Sequence, residues 1–562
     1  MVAVAVVASV SVFALLATIF WLSFTSGTPG DPDLGYTVRH YIETFRDGFT
    51  YRVLWNTVLF LIVTLVVAFA LALPMAWLIE RTDFPGKPIV FTLMTVALLI
   101  PGFAVALGWV FLLHPGIGII NQALVGLLAL RAAPFNITSI VGMGFVEGLS
   151  LTPLTFIMTS VVLRAMDPAL EEAAATSGAP PWQAIARVTL PVVWPGLLGA
   201  AIYVSAVSFA AFDVPAILGF TNRIYTFSTY VFRQLTPTEG LPEYGSVATL
   251  SVIMVAFAIL LSWFYRAVQR QAPRYAVVTG KPYAPRLIPL GRAKGPAVGL
   301  VATFFLVSQA LPILMLAWVS VLPFLQTPSA AAFAQISLVN YRSIPTELLL
   351  RSIANTGILM VLVPTITVAV SVAVSWVVLR SRARGRALFD FFAFLPVTVP
   401  PIVFSVAALL LALFVLSPIA PLYGTIWILL VVYVVARLSY GTRMTNSAMI
   451  QIHRELDEAA QVSGAGTAGT LRFVLLPLLA PTMLYAWIWI ALLTYRELTL
   501  PVVLATSGNL PFSVLVWSYV QSSSYGRASA AALIMLVLMV PFLALYWLIA
   551  RRVGIGVTLA SR

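Results

Sequence analysis

The sequence predicts an all-α, polytopic membrane protein of about twelve transmembrane helices, arranged as two parallel six-helix repeats. Three observations predict it. Of the 562 residues, 61% are hydrophobic and only 9% charged, against about 25% charged in a soluble globular chain. Apolar runs of about 20 residues, enough to cross roughly 30 Å of hydrocarbon as helices, recur along the whole chain. The landmarks of the first half also return in the second.

The first apolar run, 2–24, lacks a basic n-region and exceeds the roughly 7–15 residues of a signal h-region, so it reads as a retained helix rather than a cleaved signal. Runs at 53–79, 89–113, 139–164, 196–220 and 244–266 complete the first set. Then "RAVQRQAPRYAVVTGKPYAPRLIPLGRAKG" combines Arg, Lys, Pro and Gly without a sustained hydrophobic period, the mark of a basic linker at the membrane surface. A second set follows at 297–323, 352–379, 388–416, 423–446, 482–505 and 528–550. The expected organisation is a first repeat over 1–266, a cytoplasmic linker over 267–295 and a second repeat over 296–562.

Asn56, Arg81, Gly86 and Pro101 match Asn355, Arg380, Gly385 and Pro400 at one constant offset. Glu172, Gly178, Pro191, Pro195 and Pro215 match Glu458, Gly464, Pro477, Pro481 and Pro501 at another. The difference between the offsets is a shorter outer loop in the second half. An even number of crossings per half gives both copies the same orientation, related by an axis along the membrane normal.

A net charge of +13 would point to nucleic acid in a soluble chain. Here Lys and Arg sit mainly in short loops, where they set orientation and contact lipid, and no nucleic-acid partner is expected. The linker shares its side with Arg81, Lys87, Arg187, the cluster from Arg380 to Arg386, Arg472, Arg551 and Arg552, so this side is predicted to be cytoplasmic, with both termini. His40, Arg223, Arg342 and Arg527 fall outside. There is no cysteine, hence no disulfide, thiolate metal site or Cys nucleophile. The histidines, His40, His114 and His453, are too scattered to assign a metal site. No G-x-x-x-x-G-K-[ST], HExxH or Ser/His/Asp set occurs, so the chain is not expected to be an enzyme.

Two stretches are less apolar than their surroundings and alike: "EEAAATSGAPPWQAIARVTLPVVWPG" from Glu171 and "DEAAQVSGAGTAGTLRFVLLPLLAPT" from Asp457. Both lie on the linker side, in loops 167–195 and 453–481. Glu-Ala-Ala favours a short helix, glycine permits positive φ, and the next residues can start a second helix. Leu190–Pro191 and Leu476–Pro477 are expected to mark where the chain turns back into the bilayer, because proline disfavours helical geometry in the residue before it. One such loop is equally an amphipathic helix lying on headgroups. Two copies at the same spacing, on one side, argue for two identical partner sites.

These residues, Glu172, Ala173, Ala174, Gly178, Leu190 and Pro191, and again Glu458, Ala459, Ala460, Gly464, Leu476 and Pro477, resemble the EAA loop of permease subunits of type I ATP-binding-cassette importers. Val188 and Val474 stand where that motif usually has Ile. The resemblance spans both repeats and is greatest to fused permeases for ferric iron, thiamine and phosphonate. It implies the type I importer permease fold in a bacterial inner membrane and a helix in each loop that docks into one of two cytoplasmic ATPase copies. ATP and Mg would then bind on that partner, with no cofactor in this chain, and an extracytoplasmic binding protein would deliver substrate.

Glu147, Asp213, Arg437, Arg496 and Glu497 fall inside apolar spans, where such charges cost about 2.5–3.5 kcal/mol and therefore face the bundle interior. They either line a translocation pathway or form structural ion pairs, such as Asp213 or Glu147 with Arg437. Their repeat mates are not charged alike, which suits an asymmetric solute. The proline landmarks in "LLIPGFAVALG" and "LPVTVPPIVFS" either bend helices for gating or mark packing kinks. The expected function is an ATP-driven import permease, with ferric iron as substrate and thiamine, a phosphonate or a polyamine as alternatives. An ion-coupled secondary transporter, with Glu147 and Glu497 as coupling sites, is the reading from a different class.

Overall fold

A chain crossing hydrocarbon must satisfy its backbone N–H and C=O groups within itself, so apolar runs of this length fold as helices. The computed structural model describes residues 1–27, 34–167, 169–237, 240, 242–271 and 287–552. Among these, ten helices are long and apolar enough to span a membrane. In the first half they are Val2–Leu22, Gly48–Arg81, Ile140–Ala165, Trp182–Ala210 and Tyr244–Val268. In the second they are Gly291–Ser320, Thr346–Leu379, Ile426–Gln451, Thr467–Tyr495 and Tyr525–Leu545. Two apolar pairs, Lys87–Leu99 with Gly102–Leu113 and Arg386–Val397 with Pro401–Leu416, are bent by 91° and 108°; counting each as one span gives twelve.

Those bends correct the single spans expected over 89–113 and 388–416. Ile100 (ψ 131°) and Pro101 (ψ 126°) are both extended, since proline lacks an N–H and pushes the preceding residue out of the helical region. Pro400 (ψ 139°) breaks the other pair, and Pro401 starts the next helix. The fifth spans also differ from expectation: they end at Ala210 and Tyr495 rather than 220 and 505. Pro215 and Pro501 supply the reason, because a helix continued through either would drive its ring into the carbonyl four residues back, that of Ala211 or Glu497.

Beyond each break the chain forms a buried pair of short helices, Asp213–Gly219 with Phe227–Leu235, and Thr499–Leu504 with Phe512–Gln521. Composition read these segments as the ends of spans and outer loops. The landmark asparagines anchor them: Asn56 Nδ2 donates to the Tyr225 carbonyl at 3.2 Å and Asn355 Nδ2 to that of Leu510 at 3.2 Å. The adjacent threonines, Thr57 and Thr356, accept from the Phe227 and Phe512 N–H groups, each at 2.8 Å.

The repeats interlock through their first helices. Val2–Leu22 packs on Thr346–Leu379 and Pro401–Leu410, while Leu311–Ser320 packs on Gly102–Leu113. A Cβ at Gly108 would lie 2.4 Å from the Pro312 carbonyl oxygen, so only glycine admits this approach. The core of the linker, 272–286, lies outside the described residues, as do the last ten residues. Where the chain resumes, Ile288 bridges Thr82, and Asp83 accepts from the Leu290 N–H and pairs with Lys294, both at 2.8 Å.

The Lys294 ammonium and the Leu290 N–H hold the Asp83 carboxyl below its ordinary value. A carboxylate with a depressed folded pKa stabilises above the unfolded pKa and loses that contribution as pH falls through the folded one. The latch is therefore closed at neutral pH. Asp83→Asn is expected to speed amide exchange at Ile288 and Leu290 at pH 7, whereas the wild type should keep its protection until the pH drops below about 4. Equal protection factors in the two proteins at pH 7 would remove the latch.

Candidate docking loops and translocation cavity

In the first loop the helix Ala169–Thr176 stops at Gly178, whose φ is +83°; in the second, Glu455–Val462 stops at Gly464, φ +86°. The Ala179 N–H reaches back to the Ala174 carbonyl at 3.0 Å, and the Ala465 N–H to that of Ala460 at 2.9 Å. This left-handed closure satisfies carbonyls that the helix end would leave orphaned. It also fixes the spacing between the second alanine of each motif and its glycine. Glu458, Ala459 and both glycines are exposed, Val462 is 90% exposed and Trp182 65%. Each corner thus carries a large exposed apolar side chain beside its glycine closure.

Leu190–Pro191 and Leu476–Pro477 do not mark a turn, which corrects the sequence expectation. Leu190 (φ −58°, ψ −46°) and Leu476 (φ −60°, ψ −43°) are helical, inside Trp182–Ala210 and Thr467–Tyr495. A π-turn precedes each proline, Ile185–Thr189 and Leu471–Leu475, with the Leu190 and Leu476 N–H groups bonded five residues back to Ile185 and Leu471. The wider turn makes room for a ring that a normal α-turn would drive into the preceding carbonyls.

Each loop is clasped to the second helix of its own repeat. Arg81 Nε pairs with Glu171 at 3.0 Å and its Nη2 donates to the Leu163 carbonyl at 2.9 Å; Thr189 donates to the same Glu171 at 2.6 Å. In the second repeat Arg380 pairs with Asp457 at 3.4 Å and donates to the Met449 carbonyl at 3.1 Å. Sequence reasoning marked both arginines as repeat landmarks but missed their partners. The signal was present, since an acid precedes the motif in both copies.

The five intramembrane charges converge. Glu147, Asp213, Arg437, Arg496 and Glu497 all line one cavity of ≈ 470 Å³ between the repeats. Arg437 pairs with Glu497, not with Asp213 or Glu147, and also donates to the Leu493 carbonyl at 3.3 Å. Glu497 accepts in turn from the Thr499 and Leu500 N–H groups at 3.1 and 3.2 Å. Asp213 accepts from Thr499 Oγ1 at 3.3 Å. Asp213 and Thr499 are repeat mates, so their contact places the pseudo-two-fold axis at this point.

Both bent spans reach the cavity, through Ile100 and Gly102 and through Pro396 to Pro401. It extends to Tyr265 and Arg266 near the linker end of the sixth helix, and Tyr203 and Tyr440 add polar lining that no sequence pattern flagged. At the Asp213 end, Phe212, Phe220 and Phe232 of the first repeat pack on Trp517 of the second, with ring centroids 6.1–6.4 Å from the indole. Among the described residues no three His, Asp or Glu side chains group so as to hold a metal ion.

A family model described as binding-protein-dependent transport system inner membrane component matches residues 72–272 and 365–555. The chain is 25% identical over 492 residues to the Fe(3+)-transport system permease protein FbpB 2 of Haemophilus influenzae, covering 86% of this chain and 87% of that one. It is 24% identical over 530 residues to the ferric transport system permease protein FbpB of Actinobacillus pleuropneumoniae, covering 92% and 73%. Among solved structures, a bacterial ABC transporter involved in the import of the acidic polysaccharide alginate aligns with 47% of this chain and 97% of its own, at 17% identity and a TM-score of 0.39.

Proposed function

The chain belongs to the family of binding-protein-dependent transport system inner membrane components, as a fused two-repeat permease of a type I ATP-binding-cassette importer, and from that premise we propose that it imports ferric iron, driven by two ATPase subunits docked on its two loops. The observation that carries the coupling is the duplicated loop, with the same left-handed glycine closure and the same arginine clasp in each copy. Two related loops on one side fit two copies of one partner. Ferric iron is supported by the names of the two relatives; thiamine, a phosphonate or a polyamine would use the same machinery. The docking side is cytoplasmic, with both termini, and a binding protein delivers substrate from the other side.

In this scheme ATP and Mg bind the ATPase partners. Closure of the ATPase dimer moves both loops, and the clasps carry the motion to Gly48–Arg81 and Thr346–Leu379. The cavity, which reaches Tyr265 and Arg266, is the substrate's passage between the repeats in this scheme. An ion-coupled mechanism would leave both docking loops without a role.

Affinity purification of the tagged full chain from gently solubilised membranes, with quantitative mass spectrometry and radioiron uptake in cells, tests the reading. Two ATPase copies per chain and iron uptake that depends on the chain are expected; a chain that purifies alone, or supports no iron uptake, overturns the corresponding part. Arg81→Gln with Arg380→Gln is expected to leave the ATPases bound while uptake per ATP hydrolysed falls by about 5- to 150-fold, the span of ordinary coupling energies. Unchanged uptake per ATP would remove the clasps from the coupling path.

A further inference from the structure

Two hollows share one face of a single helix. Ala436, Arg437 and Tyr440 of Ile426–Gln451 line the central cavity. Arg443, Met444, Ser447, Ala448 and Gln451, up to three turns further along the same helix, line a second hollow of ≈ 380 Å³. Positions 436, 440, 443, 447 and 451 have the spacing of one helical face. The hollows therefore lie in line, and the second reaches the point where the loop 453–481 begins. Phe394, on the first arm of the second bent span, stands between them. Its ring lines the central cavity, with the Arg443 guanidinium 4.4 Å and the Arg266 guanidinium 5.1 Å from its centroid. Arg266 lines the central cavity and Arg443 the second hollow, so cations from both repeats hold the ring at the junction.

We propose that the solute leaves the central cavity along this face of Ile426–Gln451, and that Phe394, clamped by Arg266 and Arg443, is the gate it passes. The inference rests on the permease reading and assigns the inner exit of that pathway. Cation–π contacts are individually weak, so a ring held by two of them can swing aside without unfolding a span. The arm that carries the ring is also uncoupled from Pro401–Leu416, because the chain bends by 108° at Pro400 and no continuous helix crosses the break. The repeat mates of Phe394 and Arg443 are Thr95 and Ile157. The first repeat has no counterpart of the clamp, and the exit is single and displaced from the pseudo-two-fold axis.

The chain has no cysteine, so single thiol reporters carry no background: Ser150→Cys in the central cavity and Gln451→Cys in the second hollow. Inside-out membrane vesicles carrying the full chain are treated with a charged, membrane-impermeant methanethiosulfonate, which reaches the docking-loop side alone. Gln451→Cys should label quickly, and Ser150→Cys slower by about tenfold or more. Phe394→Ala should raise the Ser150→Cys rate by about tenfold, the equivalent of the two cation–π contacts. Arg266→Gln with Arg443→Gln, which leaves the ring in place, should do the same, as should Phe394→Leu, which keeps most of the bulk without the π face and stands in for an alanine variant that fails to fold. Phe391→Ala, at an exposed position of the same arm, should not. An unchanged Gln451→Cys rate in each background shows that the fold is kept. Ser150→Cys labelling as fast as Gln451→Cys with Phe394 present, or at a rate that neither the ring nor the arginine variants change, overturns the gate. The labelling needs neither ATP nor iron: a chain that purifies without ATPases ends the coupling reading and leaves the gate, whereas flat labelling rates end the gate and leave the coupling.

Discussion

Replacing Gly178 and Gly464 together by arginine is expected to abolish ATP-driven uptake while the chain still inserts and folds. Both glycines have positive φ, and a Cβ built on either meets no atom within 4 Å. The protein itself therefore has room for a side chain, and the new bulk would project into the space a docked partner occupies. Holding a non-glycine residue in the left-handed region costs about 1–2 kcal/mol, which weakens the corner without unfolding twelve spans. Gly178→Ala with Gly464→Ala carries the same backbone strain and almost none of the bulk, so it separates the two effects. The alanine pair should keep most of the uptake and bound ATPase; the arginine pair should lose both, read by uptake assay and co-purification. Normal uptake in the arginine pair would end the docking assignment.

The largest effect on stability is expected at Arg437 and Glu497. Their side chains are only 10% and 12% exposed, and removing one partner of a buried pair strands the other at a cost of about 3–5 kcal/mol. Arg437→Leu strands the Glu497 carboxylate, and Glu497→Gln strands the guanidinium, so each single variant should melt well below wild type in nanodiscs. The double variant should recover much of the loss, because glutamine keeps a carbonyl oxygen for the Thr499 and Leu500 N–H groups and neither member of the pair is left as a stranded charge. Additive losses in the double variant would show that the two side chains do not act as a pair.

Much of the geometry of the two loops was legible in the sequence because its determinants are local. Glu-Ala-Ala, glycine and their spacing encode a short helix and a left-handed stop, which form within about a dozen residues. The leucine-proline expectation failed for an equally local reason: proline's bias against a preceding helical residue is weaker than the drive to keep the backbone hydrogen-bonded, and a π-turn accommodates the ring. At Pro101 and Pro400 the same residue type does break the helix, and the short helices Asp213–Gly219 and Thr499–Leu504 pack on the second arm of each bend.

Hydropathy and the offset repeats by themselves determined the number of spans, the parallel pseudo-two-fold and the five charged residues that must avoid lipid. Only the tertiary structure decided which side chains meet: Arg437 with Glu497, Asp213 with its own repeat mate Thr499, and Arg81 with Glu171. Helices that are apolar on nearly every face carry little periodic information about which face turns inward. Contacts between residues tens to hundreds of positions apart follow from helix rotation and packing, and those are settled only when the two repeats close around a common axis.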